Sequence, residues 1–295
     1  MPRQTADEYD QELLDLFDRY VHGQIDRRGF LRRAAKFAVG GVTASMLLDA
    51  LSPNYALARQ IKPGDARIKA ERITYASPKG HGNVSGLMVR PTGGGKRGSV
   101  VVVHENRGLN PYIEDVARRV AVAGFNALAP DGLSPLGGYP GNDADGRTMQ
   151  RKLDRGKLLQ DFFAAYDRLD ADAASNGKIG VVGFCYGGGV ANAMAVAKPG
   201  LAAAAPFYGR QPGDADVAKI NASLSIHYAG LDRRINGGWP AFEASLKAHG
   251  KNFSAHIYDG VNHGFHNDTT PRYDRGAAEL AWKRTIELFN ATLVS

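Results

Sequence analysis

From about residue 70 onward, short apolar runs alternate with stretches of helical spacing. Ser99 to Val103 is an unbroken apolar run, as expected of a strand buried on both faces of a parallel sheet. Residues 70–76, 84–90, 125–129, 178–182, 202–207, 223–229 and 253–258 carry strand patterns. Helical patterns occupy 111–123, 156–169, 186–197, 239–249 and 275–292, the first opened by Pro111, whose fixed φ suits a first helical turn. Repeated strand–helix units predict an α/β domain: a mostly parallel, doubly wound sheet with helices on both faces. Pro130 to Arg147, rich in Gly, Pro and Asp with Tyr139 in its middle, reads as a long loop, and long loops in compact domains are more often functional lids than plain connectors.

Residues 1–58 follow a different pattern. An acidic stretch from Asp7 to Asp18 places Leu13, Leu14 and Phe17 at helical spacing. Asp26-Arg27-Arg28-Gly29-Phe30-Leu31-Arg32 then resembles a twin-arginine export signal. A moderately apolar run follows and ends in Ala56-Leu57-Ala58, a small-x-small motif suited to cleavage. Lys36 and Asp49 interrupt that run, so a stable membrane span is not expected. Two readings follow. Either 1–58 is a signal that sends a 59–295 domain to the periplasm, or it is a helical arm retained in the cytoplasm. A retained arm would dock on the body or on a second subunit of a homo-oligomer.

Composition narrows the function. The 295-residue chain has a globular balance of 43% hydrophobic and 23% charged residues, which excludes bulk disorder. Its net charge of +7 comes from scattered positives rather than runs, so nucleic acid is not an expected partner. The single cysteine excludes intrachain disulfides and multi-cysteine metal sites. No phosphate loop, metal-spaced His/Glu pair or complete dinucleotide fingerprint is present, and no cofactor or metal is expected.

That one cysteine occupies a telling position. Gly183-Phe184-Cys185-Tyr186-Gly187 lies between an apolar strand and an Ala-rich helix, the setting of a nucleophile elbow with cysteine in the serine position. A thiol at a helix N-terminus has its thiolate favoured by the helix dipole, and the Tyr186 amide would be one oxyanion donor. Such an elbow requires an acid and then a histidine downstream, each after a strand. Asp232 follows the 223–229 strand pattern, and His263 follows 253–258. Cys185, His263 and Asp232 are therefore expected as nucleophile, general base and histidine orienter.

With Gly230-Leu231-Asp232 and Asn262-His263-Gly264-Phe265, these motifs resemble the dienelactone hydrolase (carboxymethylenebutenolidase) family over nearly all of residues 70–293. The resemblance implies an α/β-hydrolase fold and a small-molecule ester or lactone substrate. It also assigns Glu105, in His104-Glu105-Asn106-Arg107, to activation of the nucleophile and the Asn106 amide to the oxyanion. The family clamps a substrate carboxylate with arginines, one of them four residues after the histidine, where this chain has Asn267. Arg107, Arg210, Arg233, Arg234 and Arg272 are candidate replacements, and Tyr139 and Tyr208 candidate pocket walls. Thioester or peptide bonds, a non-catalytic binding role and thiol redox sensing remain the alternative functions.

Overall fold

In the computed structural model, residues 4–56 and 59–294 are described; Leu57 and Ala58 of the expected cleavage motif lie outside them. The chain begins with three helices, α1 (Gln11–Val21), α2 (Arg27–Ala34) and α3 (Ala44–Leu51). Each has a side-chain cap: Asp10, Asp26 and Thr43 accept from backbone amides of the first turn, satisfying donors that a helix start leaves open. The expected acidic helix is α1, and the twin arginines Arg27 and Arg28 open α2. Leu13, Leu14, Phe17, Phe30, Leu48 and Leu51 bury one another in a small core separate from those of the body.

Three strands follow, β1 (Ile68–Ser77), β2 (Gly82–Pro91) and β3 (Arg97–Val103), then α4 (Pro111–Val122) and β4 (Asn126–Pro130). The middle of the chain holds α5 (Asp143–Lys152), α6 (Arg155–Asp170), β5 (Ser175–Phe184), α7 (Tyr186–Ala197) and β6 (Leu201–Phe207). The last third holds α8 (Asp214–Val217), β7 (Ser223–Ala229), α9 (Arg233–Asn236), α10 (Trp239–Ala248), β8 (Phe253–Tyr258) and α11 (Arg275–Leu293). The eight strands form one sheet in the order β1-β2-β4-β3-β5-β6-β7-β8. β1·β2 and β2·β4 are antiparallel, and the remaining pairs are parallel.

The continuous apolar runs bury both faces, as expected of central parallel strands. Val101, Val103 and Val181 pack into one core with Phe162 of α6, Met194 of α7 and Leu246 of α10. Val100, Val102 and Val182 pack into the other with Val116 of α4 and Ala281 and Phe289 of α11. This α/β layering matches the expectation. Among the described residues, no helix is long and apolar enough to cross a membrane.

The loop expected over 130–147 is corrected in its second half, where α5 begins at Asp143. Asn142 accepts from the Asp145 amide at 2.9 Å and caps the helix. The residues α5 buries include Asp143, Arg147 and Gln150, so the helix has no apolar stripe for a periodicity reading to find.

Candidate active site

Cys185 joins β5 to α7 with φ 57° and ψ −111°, a conformation in which a non-glycine residue is strained. The turn is held on both sides. The Cys185 amide donates to the Phe207 carbonyl of β6 at 3.1 Å. A side chain on Gly183 would collide with the Gly187 backbone, and one on Gly187 would collide with the Val103 and His104 carbonyls. Only glycine permits that approach. Tyr186 opens α7, so its amide is among the first-turn donors with no carbonyl one turn earlier.

β7 and β8 end on the same edge of the sheet as β5 and deliver Asp232 and His263 there. His263 Nδ1 lies 2.5 Å from an Asp232 carboxylate oxygen. Asp232 also accepts from the Ile235 amide at 3.2 Å; capping α9 fixes its position. Both side chains are buried. The remaining ring nitrogen of His263, Nε2, is buried, and the polar group it faces is the Cys185 thiol. Burial disfavours the imidazolium, but Asp232, Cys185 and Asp18 outweigh it and push its pKa up to about 10. Burial also opposes the Cys185 thiolate, and the facing His22 and His263 hold the thiol well below its ordinary range despite it.

The second histidine comes from the arm and was not anticipated. His22, at the C-terminal end of α1, places Nε2 3.2 Å from Cys185 Sγ. Its Nδ1 lies 2.8 Å from the Asp18 carbonyl and 3.2 Å from the Asp18 carboxylate. His22 and His263 meet edge to face, with ring centroids 4.7 Å apart. One ligand-type atom from each of His22, Cys185 and His263 lies within 4.8 Å of the others. The only trace in the sequence is Asp18 four residues before His22, a spacing that puts both on one helix face but is common on solvated helices.

The arm is latched around this point. Asn106 Nδ2 donates to the Val21 carbonyl at 2.8 Å, and Gln11 Nε2 donates to Asn262 beside His263 at 2.7 Å. Buried Arg272 reaches Asp18 at 3.2 Å and stacks on Phe17. Arg147 donates to the Tyr20 hydroxyl and lies over its ring.

The other sequence-derived candidates divide into two groups. Tyr208, Arg210 and Asn106 line a cavity of about 780 Å³ that opens onto Cys185, together with Arg147, Arg155 and Arg234. Tyr208 has φ 38° and packs its ring 4.7 Å from that of His263. Arg107, Tyr139 and Arg233 are not among the lining residues. Arg107 is buried between Glu105 at 3.1 Å and Asp143 at 2.7 Å, and Tyr139 donates to Asp143 at 3.0 Å. Arg233 opens α9 one residue before the lining Arg234. Glu105 is buried and accepts from Asn267 Nδ2 at 3.1 Å, so the residue standing at the expected clamp position holds a carboxylate of the chain itself. Burial raises the Glu105 pKa, with Arg107 opposing and the nearby thiolate reinforcing.

Comparison with known proteins agrees with this architecture. Residues 84–293 match the Dienelactone hydrolase family, and residues 1–36 match a family described as YqhI-like. An Escherichia coli (strain K12) protein described as "Putative hydrolase fragment YghX" is 64% identical over 114 residues, which are 38% of this chain and 97% of that one. A Bradyrhizobium protein described as "Probable 2-oxo-3-(5-oxofuran-2-ylidene)propanoate lactonase" is 32% identical over 68% of this chain and 86% of its own. Among solved structures, a dienelactone hydrolase-like promiscuous phosphotriesterase from metagenomic libraries superposes with a TM-score of 0.65 at 23% identity, covering 77% of this chain and all of that one. At that identity the likeness speaks for the fold.

Proposed function

Because the chain belongs to the dienelactone hydrolase family, whose members act on ester and lactone bonds, we propose that it hydrolyses small esters or lactones through a covalent thioester on Cys185. The observation that carries this reading is the buried His263 between Asp232 and a strained thiol at a helix N-terminus. The thiolate forms the S–C bond as the carbonyl π pair moves onto oxygen. In this reading the Tyr186 and Asn106 amides donate to that oxyanion, a contribution typically worth ~3–4 kcal/mol per donor. Collapse breaks the bond to the leaving oxygen, which takes a proton from His263. Water then releases the acyl group.

Buried Glu105, held by Asn267 and Arg107, is the carboxyl that the family resemblance assigns to activation of the nucleophile. Arg147, Arg155, Arg210 and Arg234 on the cavity wall favour substrates that carry a carboxylate besides the scissile bond. Cys185→Ala and alkylation of the wild-type thiol should each reduce hydrolysis of an activated ester to the uncatalysed rate. Turnover that survives both would remove the covalent mechanism, and equal turnover of neutral and carboxylate-bearing lactones would remove the anion preference.

A further inference from the structure

We propose that the N-terminal arm completes the active site: His22, oriented by Asp18, is a catalytic base that takes a proton from water during release of the acyl group from Cys185. The inference rests on the thioester reading and adds a residue from outside the hydrolase fold to it.

The groups around His22 fix its tautomer. The Asp18 carbonyl can only accept, and it lies 2.8 Å from Nδ1. An arginine can only donate, and Arg234 Nη2 lies 3.1 Å from Nε2. Nδ1 therefore carries a hydrogen in every state; Nε2 lies 3.2 Å from the sulfur and presents a lone pair once the cysteine is acylated, because the thiolate that favours its proton is then gone. Asp18 thus repeats what Asp232 does for His263, so two carboxylate–imidazole pairs converge on one thiol. Arg272 holds Asp18 from behind at 3.2 Å, and the Asn106 side chain ties down Val21, the residue before His22. The groups facing His22 are Asp18 on its own helix, Cys185 at the elbow, Arg234 of α9 and His263 after β8.

Two bases suit the two half-reactions. During acylation His263 gives its proton to the leaving oxygen and becomes neutral. During release, the water oxygen bonds to the thioester carbon, the water proton passes to His22 Nε2, and the π pair moves onto oxygen. Collapse re-forms C=O and breaks the C–S bond, returning the thiolate. The proton gained at His22 restores the positive charge of the two-imidazole cluster, and the carboxylic acid product loses its own proton to solvent.

The test follows the two phases separately with an activated ester and intact-mass detection. His22→Ala should leave a resolvable acylation burst, slowed by the loss of one of the two imidazoles that favour the thiolate, while steady turnover falls further, by about 10²-fold or more, the usual scale of a lost general base. The acyl adduct on Cys185 should accumulate, and added imidazole should restore part of the turnover. Asp18→Asn removes a charge that favours the His22 imidazolium, so the acidic limb of its pH profile for turnover should move to lower pH. Wild-type turnover in His22→Ala would overturn the proposal, as would parallel loss of burst and turnover without imidazole rescue. If wild type itself forms no adduct, the thioester reading fails first and takes this one with it; a normal wild-type burst isolates the role of His22.

Discussion

The arm and the body hold together in different ways. The body buries two large apolar layers against a central sheet, and its site residues sit on loops anchored by strand ends. The arm has a core of fewer than a dozen buried side chains, and polar contacts do most of the latching to the body: Gln11 with Asn262, Asn106 with Val21, Arg272 with Asp18. One region supplies the strained Cys185 turn, and the other presents an imidazole to it from a separately packed helical unit. A residue of the body site should thus fail by losing chemistry, and a residue of the arm by losing its seat.

The largest expected contrast is chemical. His263→Ala removes the imidazole paired with Asp232 and should lower acylation and turnover together by about 10²- to 10⁴-fold, with a lower melting temperature below pH 10. That substitution also leaves the buried Asp232 carboxylate unpaired, which destabilises a fold. Next comes the seat of the arm. Phe30 is fully buried in the arm core, and Phe30→Ala should cost about 3–5 kcal/mol there. Proteolysis or hydrogen exchange over residues 4–51 should then speed up while the body's melting is unchanged; a shift of the body transition instead would mean that the two cores unfold as one.

A pH series sharpens the same contrast. The His263 pKa is raised from 6.5 to about 10 in the folded state, so its charge adds stability fully below pH 6.5, and this is lost as pH rises toward 10. The Asp18 carboxyl is lowered by His263, His22 and Arg272 against the opposing effect of burial; its contribution is present above its ordinary value and is lost as pH falls through the lowered one. Alkaline titration should therefore weaken body and arm contacts together, and His263→Gln should flatten the loss between pH 6.5 and 10 in a melting series. The smallest effect is expected from Gln11→Ala, which removes one arm–body hydrogen bond worth about 1 kcal/mol and should raise the arm's local exchange only slightly.

What could be read in the sequence follows the same division. The Val100–Val103 run, the Gly183-x-Cys185-x-Gly187 turn and the order Cys185, Asp232, His263 are local patterns with long-range consequences, because a parallel sheet brings successive strand ends to one edge. The first half of the expected 130–147 loop was legible in Gly and Pro, whereas α5 hid because its buried face is polar. His22 was illegible for a related reason. Its contact with Cys185 spans 163 residues and depends on how a separate helical unit docks, which no periodicity encodes. The same uncertainty left the arm readable as an export signal. With His22 in the site, we expect the protein isolated from its host to retain residues 1–58; N-terminal mass spectrometry showing a fully active chain that starts after Ala58 would contradict this.

The most direct test of the account is the mass of the enzyme quenched during turnover of an activated ester. The expected result is an acyl adduct that maps by peptide sequencing to Cys185, forms in the wild type and is absent from Cys185→Ala. Ester turnover with no adduct on Cys185, or an adduct on another residue, would contradict it.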